Sequence, residues 1–145
     1  MLFCCALAAA SCSTSRPPQT GSYCVDIPEG RSADAGRYVQ EVADRLKFSV
    51  SEAQFPSTEG APNHVWEVYG KGVSMFVDTA MKGGPPDSYG NRRTIFNPNR
   101  LEFNVVKTGW WQRARFEDVV IAAREASRQF GFAFSKGNAD HGCST

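Results

Sequence analysis

The chain is poor in the residues from which metal and phosphate sites are built. Its 145 residues hold two histidines, His64 and His141, with no CxxC and no HExxH spacing, so no zinc ribbon or zinc-peptidase centre is spelled out. A phosphate-cradling glycine motif is missing, and no cofactor is expected. No stretch supplies the roughly 20 apolar residues that a membrane-spanning helix needs. Charge of one sign is also lacking: sixteen Lys and Arg against fifteen Asp and Glu give a net +1, too little field to gather nucleic acid, so no nucleic-acid partner is expected. No internal repeat is visible. Partners must therefore be sought in local features.

Apolar content of 41% and charged content of 21% are those of an ordinary globular chain. The first dozen residues stand apart. Met1 to Ala10 is apolar and ends in small residues just before Ser11 and Cys12, the layout of a secretory signal with its cleavage site. Leu7-Ala8-Ala9-Ala10-Ser11-Cys12 resembles the lipobox of bacterial lipoproteins. The resemblance implies that residues 1–11 are a signal peptide and that Cys12 receives a diacylglycerol, becomes the new N-terminus and is acylated. It implies anchorage to a membrane through Cys12 in the bacterial cell envelope. Ser13 fits outer-membrane sorting, since the family's inner-membrane retention signal is typically Asp at that place. A secreted soluble protein is the alternative.

If Cys4 and Cys5 leave with the signal and Cys12 carries lipid, Cys24 and Cys143 remain, an even number in an oxidising compartment. A Cys24–Cys143 disulfide is expected, joining the start of the domain to its end. Two unpaired thiols are the other possibility.

Residues 12–22 are polar, with Pro17-Pro18 and Gly21 and no apolar periodicity, and read as a flexible tether. Residues 23–145 have the size of a single globular domain. Tyr23 to Ile27 is a short β-prone run closed by Pro28-Glu29-Gly30. Ser32 offers an N-cap, and Ala35, Tyr38/Val39, Val42 and Leu46 recur at helical spacing, giving a helix from about Ala33 to Lys47. Phe48 to Phe55 alternates loosely. Val65 to Tyr69 and Val73 to Asp78, joined through Gly70-Lys71-Gly72, spell a hairpin. Lys82 to Arg100 shows no periodicity and reads as a long loop, and a strand follows from Leu101 to Lys107.

A second helix has the register Phe116, Val119/Val120, Ala123, Ala126/Ser127, Phe130 and a stop at Gly131, before a short strand at Phe132 to Phe134. Glu117-Asp118 falls in its first turn, where the helix dipole favours negative charge. Two amphipathic helices separated by strands predict an α+β fold, an antiparallel sheet with both helices on one face. Ferredoxin-like order is the nearest common arrangement.

The candidate contact residues are Tyr89, Arg92 and Arg93 in the long loop, and Trp110, Trp111 and Arg113 before the second helix. Guanidinium forks suit carboxylate or phosphate, and flat aromatic rings suit sugars or protein hot spots. A solvated basic rim, and a tryptophan packed under the helix start, would give the same sequence. Asp140-His141-Gly142-Cys143 is too local for a nucleophile with its base, and a disulfide would remove the thiol. His64 reads as a surface strand residue. Asp26, Glu67, Asp78, Asp87 and Glu102 could meet across a sheet.

The leading expectation is a non-enzymatic, lipid-anchored envelope protein binding another macromolecule, of the inhibitor, immunity or assembly-accessory type, with an envelope protein or glycan as partner. An enzyme acting on cell-wall or glycan substrates, using a carboxylate or His64 in a cleft, is the second. A structural component that self-associates through a sheet edge is the third.

Overall fold

The structure is a computed structural model that describes residues 19–56, 61–70, 73–83, 88–89, 94–107, 113–138 and 142–143. In chain order it has β1 (Gln19–Asp26), a 3-10 turn (Ser32–Asp34), α1 (Ala35–Leu46), β2 (Ser49–Phe55), β3 (Asn63–Gly70), β4 (Val73–Gly83), β5 (Thr94–Lys107), α2 (Arg113–Phe130) and β6 (Ala133–Lys136). The strands form one six-stranded sheet in the order β2, β3, β4, β5, β1, β6, and every neighbouring pair is antiparallel. The fold is α+β, as expected.

Four strands stand between the two helices, so the connectivity is not ferredoxin-like, which has two there. β2 to β5 form a meander of consecutive neighbours. α1 carries the chain from β1, inside the sheet, to β2 at its far edge.

Alternation along the strands decides which face is covered. Val25, Val68, Val73, Met75, Val77, Leu101, Phe103 and Val105 are buried on one face, together with Tyr38, Val39, Val42 and Ala43 of α1 and Val119, Ala123 and Ala126 of α2. Each fully buried aliphatic side chain contributes about 1.5–3 kcal/mol, so this shared layer is the main source of stability. Tyr38 ties it together: its ring meets Phe103 edge-on at 5.6 Å, and its hydroxyl donates to the Ala123 carbonyl at 3.0 Å and pairs with Ser127 Oγ at 2.9 Å.

The helices keep the expected stripes but not all of the expected ends. Ser32 opens the 3-10 turn, Asp34 occupies the N-cap position of α1, and no side chain caps α1 there. α1 stops at Lys47, which is left-handed at φ 57° and whose N–H donates to the carbonyls of Ala43 and Asp44. α2 begins at Arg113, so Glu117 and Asp118 lie beyond its first turn and the dipole argument for them falls away. Gly131, at φ 69°, takes the left-handed position that ends α2.

Two expected boundaries move. β1 begins at Gln19 and pairs from there with Lys107, so the last residues of the expected tether are strand. β4 and β5 extend into the expected loop as far as Gly83 and Thr94. The periodicity fails there because the ladder is broken: Thr79 faces Leu101 while Met81 faces Phe96, so Asn97 to Arg100 stand opposite Ala80 alone. Pro98, with no N–H to donate, sits in that bulge.

Candidate functional site

The sheet's covered face is not covered to its end. Where α1 begins, a cleft of about 490 Å³ lies between the helix N-terminus and the β2–β3 side of the sheet. Ala33, Ala35, Gly36 and Ser32 form one wall, and Ala61, Pro62, His64 and Trp66 the other. Thr79, Pro98 and Leu101 close it towards the centre, and Glu52 stands at the β2 side. Largely apolar lining with a few converging polar groups, at this size, is the usual make-up of a ligand site.

The positions of these side chains follow from the ladder. Glu52 pairs with Trp66 and Gln54 with His64, so Glu52, His64 and Trp66 share the covered face of adjacent strands. His64 and Trp66, two residues apart, stack with centroids 5.5 Å apart and planes 15° from parallel. Trp66 is 4% exposed. His64 Nδ1 lies 3.1 Å from Glu52 Oε1, so Glu52 engages one of the two ring nitrogens and Nε2 is the other.

The bulge completes the arrangement. Val65–Asp78 is the last ladder pair between β3 and β4 at this end, and beyond it the backbone of His64 is held by a side chain instead. Thr79 Oγ1 accepts from the His64 N–H at 3.1 Å and contacts its carbonyl oxygen at 3.4 Å. The register shift that begins beyond Thr79 places Pro98 in the bulge, where it reaches the cleft wall. His64 is thus a cleft residue rather than the plain surface strand residue expected.

Among the described residues, the C-terminal segment is what crosses the opposite face of the sheet. Cys24 and Cys143 form the expected disulfide, with S–S 2.04 Å and Cα–Cα 5.5 Å, and both are buried against Ala80. Glu102 accepts from Ser22 Oγ at 3.0 Å and from the Cys143 N–H at 3.4 Å, tying the segment to β1 and β5. Asp78 faces Glu102 across the ladder. Burial, and then the Glu102 charge, push the Asp78 carboxyl above its ordinary value. Asp26 pairs with Arg100 at 3.3 Å, so on this face Asp26 serves an ion pair and Glu102 the tail. Among the described residues no group of three metal-ligating side chains occurs, and no helix is long and apolar enough to cross a membrane.

Of the contact candidates read from the sequence, Tyr89 lies within the described residues. Tyr89 is 88% exposed, between β4 and β5. Cys12, Arg92, Arg93, Trp110, Trp111 and the side chain of Arg113 lie outside the described residues. The segment bearing Arg92 and Arg93 enters β5 at Thr94, and the segment bearing Trp110 and Trp111 leaves it at Lys107, the two ends of a 14-residue strand. Those ends pair with Gly83 and Val73 of the 11-residue β4, so at about 3.3 Å per residue they are roughly 33 Å apart. The sequence shows His64 beside Trp66 but not Glu52 as their companion, because that meeting depends on the β2–β3 register. The alternation of Phe48 to Phe55 against the hairpin strand was the available signal.

Comparison with known proteins finds no matching family model and no matching curated relative.

Proposed function

We propose that the chain is a small, lipid-anchored protein of the bacterial cell envelope that works by binding another macromolecule, and that the cleft beside Glu52, His64 and Trp66 is its recognition site. The observation that carries the binding role is the cleft itself: about 490 Å³, apolar walls, and a Glu–His pair set beside a buried tryptophan. The envelope assignment draws support from the buried Cys24–Cys143 disulfide, since such bonds persist in oxidising compartments. Anchorage rests on the lipobox-like run before Cys12. The exposed Tyr89 is a second contact candidate on the same chain.

The test is site-specific photo-crosslinking in the intact envelope, with the photoreactive residue at Ala33 in the cleft or at Ile121, an exposed position on α2. A binding role in the cleft gives a discrete product from position 33 that is absent from position 121. The same products from both, or none from position 33, would overturn it.

The His64–Glu52 pair also favours a second reading, hydrolysis of a cell-wall or glycan substrate. A carboxylate on Nδ1 orients an imidazole whose Nε2 can take a proton. Release of fragments from purified cell wall by the protein, lost in His64→Gln, would select the enzyme. No release would leave this reading without support.

A further inference from the structure

β2 lies at the edge of the sheet. Its inner side pairs with β3 from Ser49–Tyr69 to Phe55–Asn63 without a register break, and among the described residues no strand pairs with its outer side. Proteins blunt such edges with lysine, proline, a bulge or a very short strand. β2 spans seven residues, Ser-Val-Ser-Glu-Ala-Gln-Phe, with none of those devices inside it, and six of the seven are exposed. The opposite edge, β6, has four residues and ends in Lys136.

The single charge in β2 is Glu52, on the covered face and at the cleft. An inward-facing charge on an edge strand guards against promiscuous pairing, and here it also discriminates between partners. A second copy of this chain adding antiparallel over all seven residues would be centred on Glu52 and would place two Glu52 carboxylates opposite each other, a destabilising cross-strand pair. A strand with Lys or Arg at that place would instead meet one carboxylate oxygen left over by His64, and its aliphatic stem would run along the apolar cleft wall at Pro62 and Ala33.

We propose that β2 receives an extended segment of another protein by strand addition, with a basic residue of that segment opposite Glu52 and its side chain laid into the cleft. This deepens the binding role proposed above and rests on it. Main-chain hydrogen bonds along Ser49–Phe55 supply affinity, and the Glu52 cleft supplies selectivity. Self-association through this edge is disfavoured by the same carboxylate.

The experiment uses the purified full chain with its disulfide intact and two synthetic nine-residue peptides of alternating threonine and valine, one with a central arginine and the other with a central glutamate. Amide hydrogen exchange is followed along β2 by NMR. The arginine peptide is expected to slow exchange in Ser49–Phe55 and to shift the indole signal of Trp66, while the glutamate peptide does neither. Glu52→Gln weakens the arginine peptide about ten-fold, the loss of one charge-assisted contact, and Glu52→Arg reverses the preference. Equal binding of both peptides, or no slowing by either, overturns strand addition. So does protection without peptide: rising with protein concentration it marks a second copy, and independent of concentration it marks the chain covering its own edge. A crosslink from Ala33 together with unprotected β2 would retain the cleft as a binding site and reject strand addition alone.

Discussion

Asp78 and Glu102 face each other across the β4–β5 ladder, on the side of the sheet opposite the helices, with Cys24 next to Glu102 on β1. Two carboxylates directly opposed in a half-buried place are a standing cost to the folded state. Because the folded protein holds the Asp78 proton more tightly than the unfolded chain does, stability falls as pH rises from the ordinary Asp value of 3.8 through the raised one. Asp78→Asn should therefore raise Tm at neutral pH. The gain should shrink as pH is lowered below the ordinary Asp value, and thermal melts of the two proteins across that range check it.

The disulfide closes almost the whole domain, spanning a sequence separation of 119 residues. Loop-closure entropy assigns about 4–5 kcal/mol to a loop of this length. Cys24→Ser and Cys143→Ser should each lower stability towards that extent under oxidising conditions. Adding reductant to the wild type should bring all three to a similar Tm. Equal melting of wild type and variants without reductant would show that the bridge adds no stability.

Lys47 ends α1 in the left-handed region at φ 57°, where a Cβ is penalised and glycine is not. Lys47→Gly should stabilise the protein by up to about 1 kcal/mol, read from urea unfolding with an unchanged slope.

Trp66 and His64 share a stack but not a role in stability. Trp66 is buried, and Trp66→Ala should cost about 3–5 kcal/mol. The His64 side chain is 35% exposed and its partner Glu52 52%, and a polar contact in that setting is worth about 1 kcal/mol or less, so His64→Ala should unfold much closer to wild type in urea than Trp66→Ala does. Loss of the Ala33 crosslink in the well-folded His64→Ala protein would place recognition at the imidazole.

The strongest periodic signals survive in the structure. Tyr38, Val39 and Val42 on α1, and Val119, Ala123 and Ala126 on α2, are buried as their spacing requires, and the hairpin at Gly70 is present. The meander order and the bulge at Ala80 were not legible. Pro98 and the surrounding asparagines have no strand pattern of their own, and their place is set by Thr79 and Leu101 across the ladder. The cleft was illegible for the same reason: Glu52, His64, Trp66 and Thr79 converge through strand register, while Pro98 arrives through the bulge. The paired cysteines were legible only by way of the N-terminal signal, since nothing near Cys24 or Cys143 announces a bond across 119 residues.

An envelope domain anchored at Cys12 is most directly tested by intact and peptide mass spectrometry of the protein made in a bacterial host. The expected result is a mature N-terminus at acylated Cys12, with Cys24 linked to Cys143. Residues 1–11 retained, with all five thiols free, would contradict both the anchor and the compartment.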